Sequence, residues 1–254
     1  MIPHQISLGP LSIHLYGLII AVSIFLGWLL AKKRASLYKI PQFIFEDPIL
    51  LAPLILAIIG ARLYHVLDYW SYYSTNWTGI IKVENGGLGI FGALLGIFLG
   101  FWIIAKIKKI NLWSVLDLLA PSLLLGQAFG RIANFINQEG FGPPTSKPWG
   151  IFIDSSYRPP QYINATHFHP TFFYEAILDG MFFIILLFLS KRLRIPGQLF
   201  GLYLILYTLG RFIVEFWRID TWMIGEVKVA HVLSMITFLV GIWIFQVRGK
   251  KSVD

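Results

Sequence analysis

Residues 11–34 read LSIHLYGLIIAVSIFLGWLLAKKR, an apolar run from Leu11 to Ala31 closed by Lys32-Lys33-Arg34. An α-helix rises 1.5 Å per residue, so about twenty apolar residues suffice to cross the hydrocarbon of a bilayer. A basic triplet follows the run where a small-residue cleavage site would stand, and the preceding Met1-Ile2-Pro3-His4-Gln5-Ile6 has no basic n-region. The run is therefore expected to be a retained first span rather than a removed signal peptide. Six more apolar runs follow, at about 48–67, 86–105, 112–130, 171–190, 197–217 and 229–247. The fourth is the least regular, with Asp117 and Pro121 inside it. The expected fold is all-α: a single integral-membrane domain over residues 1–254 with about seven transmembrane helices.

Composition agrees. Of 254 residues, 56% are hydrophobic and only 13% charged, and the mean hydropathy is +0.68. A soluble domain carries about a quarter of its residues as Asp, Glu, Lys and Arg. The net charge of +8 would suit nucleic acid if it were gathered on one face, but it lies in short clusters between the apolar runs. That placement belongs to membrane topology and anionic-lipid contact, and nucleic acid is set aside as a partner. There are no cysteines, which excludes disulfides, thiolate metal ligands and a cysteine nucleophile of the chain's own. His167 and His169 have no further ligands at a convincing spacing, so no metal site is expected.

Basic residues set the expected orientation. Lys32, Lys33, Arg34 and Lys39 follow the first run, and Lys106, Lys108 and Lys109 lie between the third and fourth. Lys191, Arg192 and Arg194 lie between the fifth and sixth, and Arg248, Lys250 and Lys251 follow the seventh. With seven spans, all four groups fall on one side, leaving the other with scattered Lys82, Lys147, Arg158 and Lys228. The positive-inside rule then puts the N-terminus outside and the C-terminus in the cytoplasm. The longest connection, at about 131–170, is on the outer side. Its Gly140, Gly142, Pro143-Pro144, Pro148, Gly150 and Pro159-Pro160 predict an irregular segment, and Trp149, Phe152, Tyr157 and Tyr162 suit the membrane interface.

Spans two, four and six each carry a late arginine: Arg62, Arg131 and Arg211. Fourteen residues separate Pro48 from Arg62 and Gly197 from Arg211, about 21 Å of helix. An arginine in the outer part of a bilayer must snorkel, pair or line a polar cavity. Three at similar depth favour a shared cavity, and guanidinium groups match phosphate oxygens in a bidentate fork. A phospholipid headgroup is the abundant phosphate there. Arg131, Asn134 and Asn137 share a helical face. Glu215 stands four residues after Arg211 and three before Arg218, as a counter-ion or as a proton acceptor. Tyr16, at the outer start of span one, reads as a belt tyrosine or a cavity residue. The glycines from Gly86 to Gly92 permit a re-entrant turn or close helix packing.

Taken together, these segments resemble the bacterial prolipoprotein diacylglyceryl transferase family. The resemblance rests on Leu15-Tyr16-Gly17, Gly86-Gly87-Leu88 through Gly92, and the block Gly130-Arg131-Ile132-Ala133-Asn134-Phe135-Ile136-Asn137-Gln138-Glu139 with Phe141-Gly142. His169-Pro170-Thr171 with Tyr174-Glu175, and Arg211-Phe212-Ile213-Val214-Glu215-Phe216-Trp217-Arg218, complete it. It extends in order from about residue 10 to about residue 245. It implies a seven-span inner-membrane enzyme, with lipid access from the side and its active site toward the outer leaflet. Such an enzyme moves the diacylglyceryl group of phosphatidylglycerol onto the thiol of the lipobox cysteine of a prolipoprotein and releases glycerol phosphate, the first step of lipoprotein maturation.

The residues carried over are Tyr16, Gly92, Arg131, Asn134, Glu139, Gly142, Arg211 and Glu215. Arg131, Arg211, Glu215 and Asn134 are expected to be catalytic. Tyr16, Arg62, Gly92, Arg131, Glu139, Gly142 and Arg211 are expected to bind substrate. Some members have a histidine just before the glycine matched by Gly92; here it is Phe91, which cannot move a proton. No cofactor is expected, because thiol substitution at carbon needs positioned charge and not redox chemistry. The competing readings are a transporter or channel, a membrane assembly factor, and a different lipid-headgroup transferase.

Overall fold

The computed structural model describes residues 4–8, 11–82 and 86–250. Among these residues, seven helices are long and apolar enough to cross a membrane: Leu15–Tyr38, Pro48–Asp68, Ile90–Ile107, Leu112–Asn137, Thr171–Leu189, Gln198–Glu215 and Val229–Lys250. Each covers most of one predicted span. The chain divides into two compact units, one of Met1–Arg34 with Leu116–Asp254 and the other of Ala35–Val115.

In the first unit, β1 (Gln5–Leu8) pairs antiparallel with β2 (Leu11–His14), and β2 runs straight into α1 (Leu15–Arg34). In the second unit, α2 (Ala52–Asp68) is followed by a single turn, α3 (Trp70–Tyr73), and then by α4 (Ile90–Ile107). α2 and α4 pack backbone to backbone. A side chain at Gly92 would strike the carbonyl of Gly60, one at Gly96 the carbonyl of Leu56, and one at Gly100 the backbone of Pro53. The spacing of four residues puts all three glycines on one face of α4, the small-residue contact that lets membrane helices approach closely. Outside the spans, Asp47 caps the turn before α2 by accepting from the Ile49 N–H at 2.9 Å and pairs with Lys108. The hydrogen bond from Lys108 holds the Asp47 carboxyl below its ordinary range.

α5 (Leu112–Asn137) leads back into the first unit, which continues through α6 (Thr171–Leu189), α7 (Gln198–Glu215) and α8 (Val229–Lys250). α5 runs seven residues past the expected end of the fourth span. The irregular segment therefore begins at residue 138 rather than 131. Arg131 and Asn134 have side-chain partners in this last stretch, so helix is maintained where the apolar pattern stops. The helix then ends on Gln138, in the left-handed region with φ 52°. The Gln138 N–H donates to the Phe135 carbonyl and the Glu139 N–H to the Asn134 carbonyl at 3.0 Å, the paired bonds of a Schellman cap.

Residues 138–170 contain two-residue strands, β3 (Ile151–Phe152) and β4 (His167–Phe168), and short 3-10 turns. They surround a small core of Phe141, Ile153, Phe168 and Phe172. A second pair of short strands, β5 (Met223–Ile224) and β6 (Val227–Lys228), joins α7 to α8.

Asp117, the residue that makes the fourth run look weak, caps another helix. Its carboxylate accepts from the Gly197 and Phe200 N–H groups at 2.7 Å each, at the start of α7. A carboxylate there meets the free N–H groups and the positive end of the helix dipole. Gly197, at φ 99°, takes a turn that favours glycine. Asp117→Ala strands these donors and is expected to destabilise the protein by about 2–4 kcal/mol. Thermal unfolding in detergent should show a lower midpoint, with Asp117→Asn falling between the alanine variant and wild type.

Candidate active site

In the first unit, the start of α1, the end of α5, the start of α6 and the end of α7 all carry polar side chains. Arg131 comes from α5, Glu175 from α6, and Arg211 and Glu215 from α7. Arg131 Nη2 lies 2.6 Å from Glu175 Oε1, and Arg211 Nη1 lies 3.0 Å from Glu175 Oε2. Arg211 Nη2 lies 2.6 Å from Glu215 Oε2. One carboxylate thus bridges two guanidinium groups from different helices, and a second holds the far side of Arg211. Glu175 and Glu215 are buried, whereas the arginine side chains retain 20% and 17% of their surface. The part of the network that reaches the surface is arginine side chain, not carboxylate.

The other expected residues extend it. Arg131 Nη1 makes a long 3.4 Å contact with Asn134 Oδ1, and Asn134 Nδ2 donates to Glu139 Oε1 at 2.9 Å. The Schellman turn brings Glu139 back beside its own helix to make that bond. Tyr16, at the start of α1, lies within electrostatic reach of Glu139 and Arg131. Gly142 sits where the 138–170 segment crosses its neighbours. Its N–H donates to the His169 carbonyl at 2.8 Å, and a Cβ there would lie 2.6 Å from the Trp217 carbonyl and 2.9 Å from the His169 Cβ. The Thr221 hydroxyl donates to Glu215 Oε1. Lys228 Nζ donates to the Glu215 and Arg218 carbonyls at 2.6 and 2.8 Å, a cation at the negative end of α7.

Arg62 and Gly92, both expected to bind substrate, belong to the second unit and make local contacts there. Arg62 Nε donates to the Ile80 carbonyl at 2.8 Å, Nη1 to Gly86 and Gly87 at 2.7 and 3.0 Å, and Nη2 to Gly79 and Lys82 at 2.5 and 3.2 Å. A guanidinium has five N–H donors, and here each has a backbone carbonyl. Arg62, expected to bind substrate, thus clamps the loop between α2 and α4. Gly92, expected to bind substrate, lies in the helix contact with Gly60. Phe91 sets its ring 5.8 Å from that of Tyr64.

Three residues absent from the expected site join it. Glu175 appeared in the sequence only as part of the block opening span five. Asp179, one turn further along α6 and also buried, lies within electrostatic reach of Glu175, Arg131 and Arg211. Tyr207, on α7, is close to the same charges, and its ring stacks on Tyr203 at 6.0 Å. The available signal was a carboxyl inside an apolar run, with Asp179 placed one turn after Glu175.

The sequence profile of the prolipoprotein diacylglyceryl transferase family matches residues 3–247. The phosphatidylglycerol–prolipoprotein diacylglyceryl transferase of Thermosynechococcus vestitus is 39% identical over 255 residues, covering 98% of this chain and 94% of its own. The protein of the same name from Acaryochloris marina is 40% identical over 253 residues, with 97% and 92% covered. The one from Bacillus cytotoxicus is 40% identical over 249 residues, again with 97% and 92% covered. With its whole apolar framework and its arginine–glutamate network inside the matched region, this chain belongs to the prolipoprotein diacylglyceryl transferase family.

Proposed function

We propose that this protein transfers the diacylglyceryl group of phosphatidylglycerol to the thiol of a prolipoprotein lipobox cysteine, releasing glycerol phosphate. The observation that carries this reading is the meeting of Arg131 and Arg211 on Glu175, with part of each arginine side chain left exposed. It stands in a chain similar over nearly its full length to proteins named for this reaction.

The chain has no cysteine, and the nucleophile is the substrate's own. Its sulfur bonds to the glyceryl carbon that carries the phosphate. The carbon–oxygen bond breaks with its electron pair on the phosphate oxygen, and the thiol proton is lost. A singly charged phosphodiester becomes a monoester whose second charge appears above a pKa of about 6. Donors placed in advance stabilise that growing charge more than the starting monoanion, and we assign this role to Arg131 and Arg211. Glu215 holds Arg211 in position. Asn134, Glu139 and Tyr16 are assigned to the glycerol end of the headgroup, and Gly142 to the shape of the segment beside it.

The clustering of basic residues supports an N-terminus outside, a C-terminus in the cytoplasm, and a site toward the outer leaflet of the bacterial inner membrane. Lipid then enters sideways between helices.

Purified protein given phosphatidylglycerol and a lipobox peptide is expected to yield thioether-linked diacylglyceryl peptide and an equal amount of glycerol phosphate. Mass spectrometry reads the first product and an enzymatic phosphate-ester assay the second. Release of glycerol phosphate without peptide modification would make the protein a lipid hydrolase instead.

A further inference from the structure

We propose that Glu175 is a positioning residue that sets the charge of the headgroup site, so that a singly charged phosphodiester is held and a doubly charged phosphate monoester is let go. This rests on the transfer reaction proposed above. The Glu175 side chain is only 2% exposed, too little to touch a lipid. It acts through its two oxygens, each given to a different guanidinium, one on α5 and one on α7. No other carboxylate among the described residues is paired with both arginines.

Two consequences follow from elementary electrostatics. First, the pairing fixes how far apart Arg131 and Arg211 stand and which of their donors are taken up by carboxylate. Second, it cancels charge. Arg131 and Arg211 are balanced by Glu175 and Glu215, so the resting network is close to neutral. Asp179, a second carboxyl buried one turn along α6 with its Oδ2 unpartnered, adjoins the network. Glu175 repels a bound phosphate in proportion to the phosphate's own charge. The repulsion on the monoester product is therefore about twice that on the diester substrate. Without Glu175, Glu215 alone offsets the two arginines, and the extra positive charge would hold the dianionic product they had helped to make.

The test compares wild type, Glu175→Gln and Glu175→Asp as full-length protein in detergent. It measures KM for phosphatidylglycerol, kcat, and the inhibition constant for added glycerol phosphate. Glu175→Gln keeps size and removes charge. Its glycerol phosphate inhibition constant is expected to fall about tenfold or more, with a smaller fall in KM and a reduced kcat as release slows. Glu175→Asp keeps the charge but sets the carboxylate back by one methylene, which loosens its hold on the two guanidinium groups; it is expected to lose kcat while keeping wild-type product inhibition. A strut with no electrostatic role would instead raise KM and weaken product inhibition together in Glu175→Gln, and that result overturns the proposal. So does tighter product inhibition in Glu175→Asp. Calorimetric binding of glycerol phosphate to the resting proteins separates the two readings. A wild-type protein that transfers nothing, while Glu175→Gln still binds glycerol phosphate more tightly, refutes the reaction and not the role of Glu175.

Discussion

Replacing Arg211 with alanine is expected to lower kcat by at least about a hundredfold with phosphatidylglycerol saturating. The change removes both carboxylate contacts of the α7 arginine at once. It leaves Glu215, fully buried, with the Thr221 hydroxyl as its side-chain partner. Stranding one member of a buried ion pair costs about 3–5 kcal/mol. A similar loss from the transition state corresponds to a factor of about 10² to 5 × 10³ in rate. Arg211→Lys should recover little, because a single ammonium cannot reproduce a fork that contacts two carboxylates in two directions. Loss of fold is the competing explanation for inactivity. It is separated by the double variant Arg211→Gln with Glu215→Gln, which removes the pair without stranding a charge. That variant should unfold near the wild-type temperature and remain inactive. Turnover near wild type in Arg211→Ala would remove Arg211 from the reacting phosphate altogether.

Arg131, Arg211 and Glu215 were legible in the sequence because a charge inside an apolar run is conspicuous. The same signal could not separate them from Arg62. All three arginines sit late in alternate spans, and what distinguishes Arg62 is a loop whose carbonyls converge on it. That convergence is a tertiary fact with no residue-type signature. Asp117 shows the converse. Its charge counts against a span when hydropathy is the measure, yet it is needed to start a helix 80 residues further along the chain. Glu175 was hidden for a related reason. A glutamate near a helix start has a local use at the dipole, and nothing nearby in the sequence says that it bridges two distant arginines. The seven spans themselves were plain, since length and hydropathy act locally. The boundary that shifted, at the end of α5, lies where polar side chains found partners that hydropathy does not register.

Gly92→Ala is expected to destabilise the second unit by about 3 kcal/mol or more, and to lose activity only as folded protein is lost. A Cβ at this position meets the carbonyl of Gly60 and lies 2.6 Å from the Tyr64 Cβ. A carbonyl fixed in a helix cannot swing aside as a side-chain tip can, so α2 and α4 would have to part. Parting them also opens the neighbouring contacts of Gly96 and Gly100, and overpacking penalties of about 1–3 kcal/mol for a single site become a lower bound. Gly126 provides the control. It lies inside α5 with open space for 4 Å around the place a Cβ would take, and alanine there should be neutral or stabilising by about 0.5–1 kcal/mol, because glycine is the poorer helix former. Thermal unfolding of the two variants in detergent, read beside KM for phosphatidylglycerol, decides between packing and binding. If Gly92→Ala melts with wild type and raises KM, the glycine serves the headgroup after all, and the account of α2 against α4 fails.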